Sequence, residues 1–132
     1  SANGKAKIIE QARRTNDYKA DWVVEKIKNT VLQFEVKHNK KPTVTCMGLA
    51  FKPDIDDLRE SPALYIAQKL NSFINTICVE PNVKFFNELD LVDIKTGLKS
   101  DICIYLVAHK EFCKENIKES DLDFCGINNS YN

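Results

Sequence analysis

Three short runs rich in β-forming residues, VTCMG (44–48), TICVE (76–80) and DICIYLV (101–107), are set apart by helix-patterned or polar sequence, and this alternation most narrows the possible folds. Between the first two runs, Ala63, Ile66, Ala67 and Leu70 recur at helical spacing across residues 62–71. Strand, helix, strand at this spacing predicts a βαβ unit, hence parallel strands joined by a right-handed crossover. Further helical segments are expected over residues 83–88 and 110–116, filling the remaining crossovers. The expected fold class is α/β, a small Rossmann-like parallel sheet, doubly wound.

A long helix is predicted ahead of this domain. From residue 8 to about residue 34, Ile8, Ala12, Ala20, Val23, Ile27, Val31 and Phe34 trace one stripe in steps of three, four or their multiples. Asn16 falls on the same stripe, where a polar side chain needs a partner. Two readings stand side by side: a local break or cap at Asn16 and Asp17, or a helix face packed on another domain or subunit with Asn16 fixing the register. The polar stretch HNKKP (38–42) ends the helix. Trp22 is expected to anchor a domain contact rather than stack on a base.

With 132 residues, the chain suits one domain with a core of its own plus an additional helix. Its formal net charge is zero, and a basic first third balanced by an acidic remainder is too mild to predict a nucleic-acid partner. No apolar run approaches the roughly 18 residues of a membrane span, and SANGKAKIIEQARR has no signal-peptide apolar core. A soluble, cytoplasmic protein is expected. Cys46, Cys78, Cys103, Cys113 and Cys125 are odd in number, widely spaced and never arranged C-x-x-C, so all five are expected to be structural thiols and no metal site is predicted.

The chemistry concentrates in GLAFKPDIDDLRESPALY (48–65), where Lys52, Arg59, Asp54, Asp56, Asp57 and Glu60 crowd between the first strand and the next helix. In an open parallel sheet that position is the carboxyl edge, where loops open into a ligand crevice. Ser61 suits a helix N-cap and Pro62 the first helical position, and the amides of that first turn would favour an anion. A dinucleotide fingerprint would read G-x-G-x-x-G, whereas here Gly48 is followed by no further glycine before Ser61. Glu80 ends the second run, where dinucleotide folds place a ribose-binding acid, but a turn role with Pro81 is expected instead. His109 is expected to cap the segment after the third run rather than line the crevice.

GLAFKPDIDDLRESPA resembles the signature that opens the C-terminal, UDP-binding domain of the UDP-glucose/GDP-mannose dehydrogenase family, and is most similar to the branch acting on UDP-N-acetyl-D-mannosamine. ARRTNDYKADWVV resembles the family's connecting central helix, VEPN the end of its next strand, and DICIYLVAHKEF a further strand and loop. The resemblance implies that residues 1–38 are the connecting helix and residues 39–132 the UDP-sugar-binding domain. It implies that Phe51 and Lys52 contact the UDP-sugar, and that Arg59 reaches NAD held mainly by an N-terminal domain outside this sequence. No catalytic residue is assigned, because the family's glycine-rich cysteine motif is absent here as well, so the chain is expected to be inactive alone. The implied partners are the UDP-sugar, the remaining domains of the same enzyme and further copies of the full-length protein. The carboxylates of the loop are read as steadying its two cations. Asp123, Phe124, Cys125 and Gly126 replace the family's Asp-Thr-Arg or Asp-Thr-Lys-Gly, so Cys125 stands where a basic residue helps hold UDP. The alternatives are another UDP-sugar 6-dehydrogenase or a non-catalytic α/β interaction module.

Overall fold

The computed structural model describes residues 4–52, 54 and 58–127, with side chains described from residue 19 onward. Helix α1 (Gly4–His38) runs unbroken for 35 residues, about 50 Å, so the backbone has no break at Asn16 and Asp17. The side chain of Asn16 lies outside the described residues. α1 ends where Asn39 turns left-handed at φ 56° and donates its N–H to Glu35 O at 2.8 Å, closing the last turn.

Five parallel strands follow in the order β3-β2-β1-β4-β5: β1 (Val44–Met47), β2 (Thr76–Val79), β3 (Asp90–Leu91), β4 (Ile102–Tyr105) and β5 (Leu122–Asp123). The central strand β1 pairs with β2 and β4 over its whole length, Cys46 opposite Cys78 and Ile104. All four β1 residues are buried, as expected of a strand covered on both faces.

Helices cover both faces. On one side α1 and α2 (Pro62–Asn71) enclose Val44, Cys46, Cys78, Ile102 and Ile104. Val23, Val24, Ile27 and Val31 of α1 are buried here, each side chain contributing about 1.5–3 kcal/mol, so the carboxyl-terminal half of α1 belongs to the domain's core. On the other side Met47, Val79, Cys103, Tyr105, Phe112 and Ile127 form a second cluster beside the one-turn helix α3 (Ile94–Gly97). A Cβ on Gly97 would fall against Val79 and Thr45, so glycine permits α3 to lie this close to the sheet.

Helix α2 and the three long strands match the expected pattern. The expected helix over residues 83–88 is absent. Asn82 N–H is drawn to Glu80 Oε2, Leu89 N–H turns back to Phe86 O, and Phe85 stands 74% exposed, so the apolar residues follow the turns rather than a helical face. Residues 110–116 form turns and one 3₁₀ turn (Lys114–Asn116) instead of a helix. The crossover helix between β3 and β4 is α3, capped by Asp93 accepting Thr96 N–H at 2.8 Å. Cys46, Cys78 and Cys103 are buried as expected, while Cys113 is exposed. Burial pushes the Cys103 thiol up to about 11 and the Cys125 thiol up to about 12, which makes both poor nucleophiles. No helix among the described residues is long and apolar enough to cross a membrane.

Candidate functional site at the carboxyl edge of the sheet

At the end of β1 the chain must leave the sheet between two neighbours, and Gly48 makes the exit possible. Its φ of 99° favours glycine, and a Cβ there would lie 2.6 Å from Val107 Cβ. Gly48 N–H is donated to Val79 O at 2.8 Å, so the strand turns without losing its pairing to β2. The next two residues, Leu49 and Ala50, are buried. Their amides need acceptors, and no strand lies ahead to provide them.

Glu80 provides both. Its side chain is fully buried, and Oε1 accepts Leu49 N–H at 2.8 Å, Ala50 N–H at 2.9 Å and His109 Nε2–H at 2.9 Å. Oε2 accepts Asn82 N–H at 3.0 Å and Asn82 Nδ2–H at 3.3 Å. Burial alone would raise this carboxyl's pKa, but the bonds from His109, Leu49 and Asn82 outweigh it and hold the pKa below the ordinary 4.5. The expected turn with Pro81 is present, closed by Val83 N–H to Glu80 O at 3.2 Å, but Glu80 does more than shape it: its carboxylate ties the end of β2 to the loops after β1 and β4.

This arrangement also decides what the loop does not do. In a dinucleotide fold the backbone amides after the first strand cradle a pyrophosphate. Here the amides of residues 48, 49 and 50 are occupied by Val79 O and the Glu80 carboxylate, so an internal anion takes the place a phosphate would need. The residues at this position do not fit NAD in the dinucleotide manner.

His109, expected to cap the following segment, is instead fully buried in the site. Its Nδ1 receives Asp54 N–H at 2.7 Å and faces Asn82 Nδ2–H at 3.4 Å, which assigns the ring proton to Nε2 and the lone pair to Nδ1. Asp54, at φ 64°, completes the tie by accepting Lys110 N–H on Oδ1 at 2.8 Å. Ligand-type atoms of Asp54, His109 and Glu111 lie within 4.8 Å of one another, yet the imidazole lone pair that a metal would require already faces two N–H donors.

The residues singled out from sequence sit around this frame. Phe51 is half exposed, and Lys52 holds its ammonium 5.9 Å from the Phe51 ring centroid, placing both just outside the buried Leu49 and Ala50. Arg59 is exposed at the far end of the same loop, two residues before Ser61. Asp54, though partly exposed, ties the loop to the end of β4 through Lys110 N–H and His109, and Asp56 and Asp57 lie outside the described residues. Ser61 is the expected N-cap: its Oγ accepts Leu64 N–H at 3.3 Å and donates to Ala50 O at 3.2 Å. With Pro62 lacking an N–H and Leu64 capped, the α2 terminus offers less to an anion than its sequence suggests.

A groove of about 600 Å³ opens beside Glu80 between the carboxyl ends of β2 and β3, lined by Pro81, Val83, Lys84, Val92 and Lys95 among others. A larger groove, about 850 Å³, lies at the opposite edge between α1 and the start of β4, where two of its lysines are paired with acids, Lys40 with Asp101 at 3.7 Å and Lys118 with Asp121 at 3.2 Å. Trp22 is 55% exposed and meets Phe124 edge-on at 6.4 Å. Cys125, half buried, donates its backbone N–H to Asp123 and brings no positive charge to the site.

A carboxyl-edge loop with exposed Phe51, Lys52 and Arg59, on a sheet ordered 3-2-1-4-5, calls for comparison with known nucleotide-binding domains. Residues 45–123, more than half the chain, match the UDP-glucose/GDP-mannose dehydrogenase family, UDP binding domain. The chain belongs to this family. Its curated relatives include the UDP-N-acetyl-D-mannosamine dehydrogenase of Campylobacter jejuni, 42% identical over 91% of this chain and 30% of that protein. The enzyme of the same description from Yersinia pestis is 39% identical over 89% of the chain and 30% of its own length. Among solved structures, the UDP-N-acetyl-mannosamine dehydrogenase of Staphylococcus aureus superposes with a TM-score of 0.66 at 31% identity, covering 82% of this chain and 25% of that one. The chain thus spans less than a third of the length of these relatives, each of which is a UDP-N-acetyl-D-mannosamine dehydrogenase.

Proposed function

We propose that this chain is the UDP-sugar-binding part of an NAD-dependent UDP-sugar 6-dehydrogenase that oxidises UDP-N-acetyl-D-mannosamine to the uronate, a precursor for cell-surface polysaccharide. The observation that carries the proposal is the family match across residues 45–123, whose loop of highest charge leaves the sheet at its ligand-binding edge. Residues 1–38 serve as the connecting helix and residues 39–132 as the binding domain. The unbroken α1, whose second half is buried in the domain, supports such a rigid link to the rest of an enzyme.

Within the full-length protein, Phe51 and Lys52 face the UDP-sugar. The aromatic face supplies stacking area and the ammonium a mobile positive charge for the diphosphate. Arg59 reaches NAD, which the remaining domains hold, since the amides of this loop are already engaged by Glu80. When bound, NAD supplies the hydride acceptor for oxidation of the sugar alcohol. This chain's part is to bind and orient the nucleotide end of the substrate, leaving the reacting carbon to groups outside the sequence.

Steady-state kinetics of the full-length protein test the assignment. Lys52→Ala is expected to raise KM for the UDP-sugar about tenfold with little change in KM for NAD, and Arg59→Ala to do the opposite. The reverse pattern overturns both roles. Failure of the parent enzyme to oxidise UDP-N-acetyl-D-mannosamine while oxidising another UDP-sugar overturns the choice of sugar.

A further inference from the structure

Glu80 and His109 lie 29 residues apart in sequence and meet at 2.9 Å with no solvent access to either side chain. Nothing in the binding role assigned above to Phe51, Lys52 and Arg59 requires such a pair, and burying a carboxylate is costly unless it is fully satisfied. Besides Asn82, which both side chains meet, the bonds of the pair lead to one loop. Glu80 takes the Leu49 and Ala50 amides ahead of Phe51, and His109 takes the Asp54 amide beyond Lys52. Phe51 and Lys52 are therefore bracketed, with a fixed point on either side.

We propose that Glu80 and His109 form a positioning clamp for the substrate loop, Glu80 holding its entry through the amides of Leu49 and Ala50 and His109 holding its far side through Asp54. The clamp rests on the reading that this loop meets a UDP-sugar. Its second arm depends on a neutral imidazole whose Nδ1 lone pair accepts, because Asp54 N–H and Asn82 Nδ2–H both point at that atom. Asp54 then holds its left-handed φ of 64° with two ties to the β4 loop, its N–H to His109 and its Oδ1 to Lys110 N–H. Aspartate enters this region more readily than most non-glycine residues, and the two bonds hold it there.

Two variants of the full-length protein separate the arms. The amide oxygen of His109→Asn can replace the Nδ1 acceptor but leaves Glu80 without its ring partner. The amide N–H of His109→Gln can replace the Nε2 donor but leaves Asp54 N–H unmatched. The measurements are hydrogen exchange over residues 49–54, UDP affinity by calorimetry, and melting temperature. His109→Asn is expected to keep the exchange protection of the segment and bind UDP within about threefold of the parent. His109→Gln is expected to exchange at least about tenfold faster around residue 54 and to bind UDP about tenfold more weakly, the loss of one buried hydrogen bond. UDP affinity that simply follows melting temperature in both variants, or a His109→Gln variant with parental exchange and affinity, overturns the clamp. A parent that fails to bind UDP removes the functional reading instead, and the exchange rates still decide whether His109 holds the loop.

Discussion

The two edges of the sheet use the same chemistry to different ends. At the amino edge Asp101 accepts Thr43 N–H at 3.0 Å while its own N–H goes to Thr43 Oγ1 at 2.8 Å, a reciprocal pair that staples the starts of β1 and β4. At the carboxyl edge Glu80 also accepts backbone amides, but from the loop after a neighbouring strand, and with no water in reach. The Asp101 side chain is 27% exposed, so solvent can replace a lost bond there. Glu80 has no such substitute. One carboxylate fastens a border, and the other sets the shape of a loop whose outer residues are left exposed.

The sharpest way to break this contrast is at the exit of β1. Gly48→Ala forces a Cβ against Val107 in a backbone conformation that alanine resists, and should destabilise the protein by about 3–5 kcal/mol in urea unfolding. A loss below 1 kcal/mol would mean that the exit can move. Glu80→Gln comes next, at about 2–4 kcal/mol near neutral pH, because a buried group with several donors aimed at it loses its charge. The pH dependence has a definite sign. Since the folded pKa of Glu80 is depressed, its stabilisation is complete above the ordinary 4.5 and lost as pH falls through the lower folded value. Glu80→Gln should therefore flatten the acid limb of stability against pH, and an unchanged limb would place the charge elsewhere.

Asp101→Asn sharpens the other side of the comparison. The Asp101 carboxyl is held below 3.8 mainly by the Thr43 amide, yet it is partly exposed, so a loss of no more than about 1 kcal/mol is expected. A loss matching that of Glu80→Gln would erase the distinction between the edges. The smallest effect is expected at Tyr105, fully buried on β4, whose hydroxyl finds no hydrogen-bond partner among the described residues. Tyr105→Phe should be neutral or stabilising by up to about 1 kcal/mol, since it removes an unmatched polar atom and keeps the edge-on packing against Phe112. Clear destabilisation would reveal a partner for that hydroxyl.

What was readable in the sequence follows from range. The Ser61 cap, Pro62 and the spacing from Ala63 to Leu70 are local signals, and α2 forms where they place it. The strands β3 and β5 are two residues each and exist because a neighbour pairs with them, which no local pattern records. Residues 83–88 carry apolar side chains in a segment too short to hold a helix against the turn bonds at Asn82 and Leu89. At the site, Phe51, Lys52 and Arg59 stand out because charge and signature are local. The buried ties of Glu80 and His109 were not legible because they span 29 to 55 residues. The available hint was an acid closing an apolar strand, where a buried carboxylate must find donors.

The central claim is that the carboxyl-edge loop, held by Glu80, receives a UDP-sugar. Hydrogen exchange of the full-length protein with and without saturating UDP tests it most directly. Added protection should appear in residues 48–61 and beside the groove at Pro81, with none at residues 37–40 and 118–121 of the amino edge. Protection confined to the amino-edge groove, or no change at residues 48–61 while UDP is bound, would contradict the account.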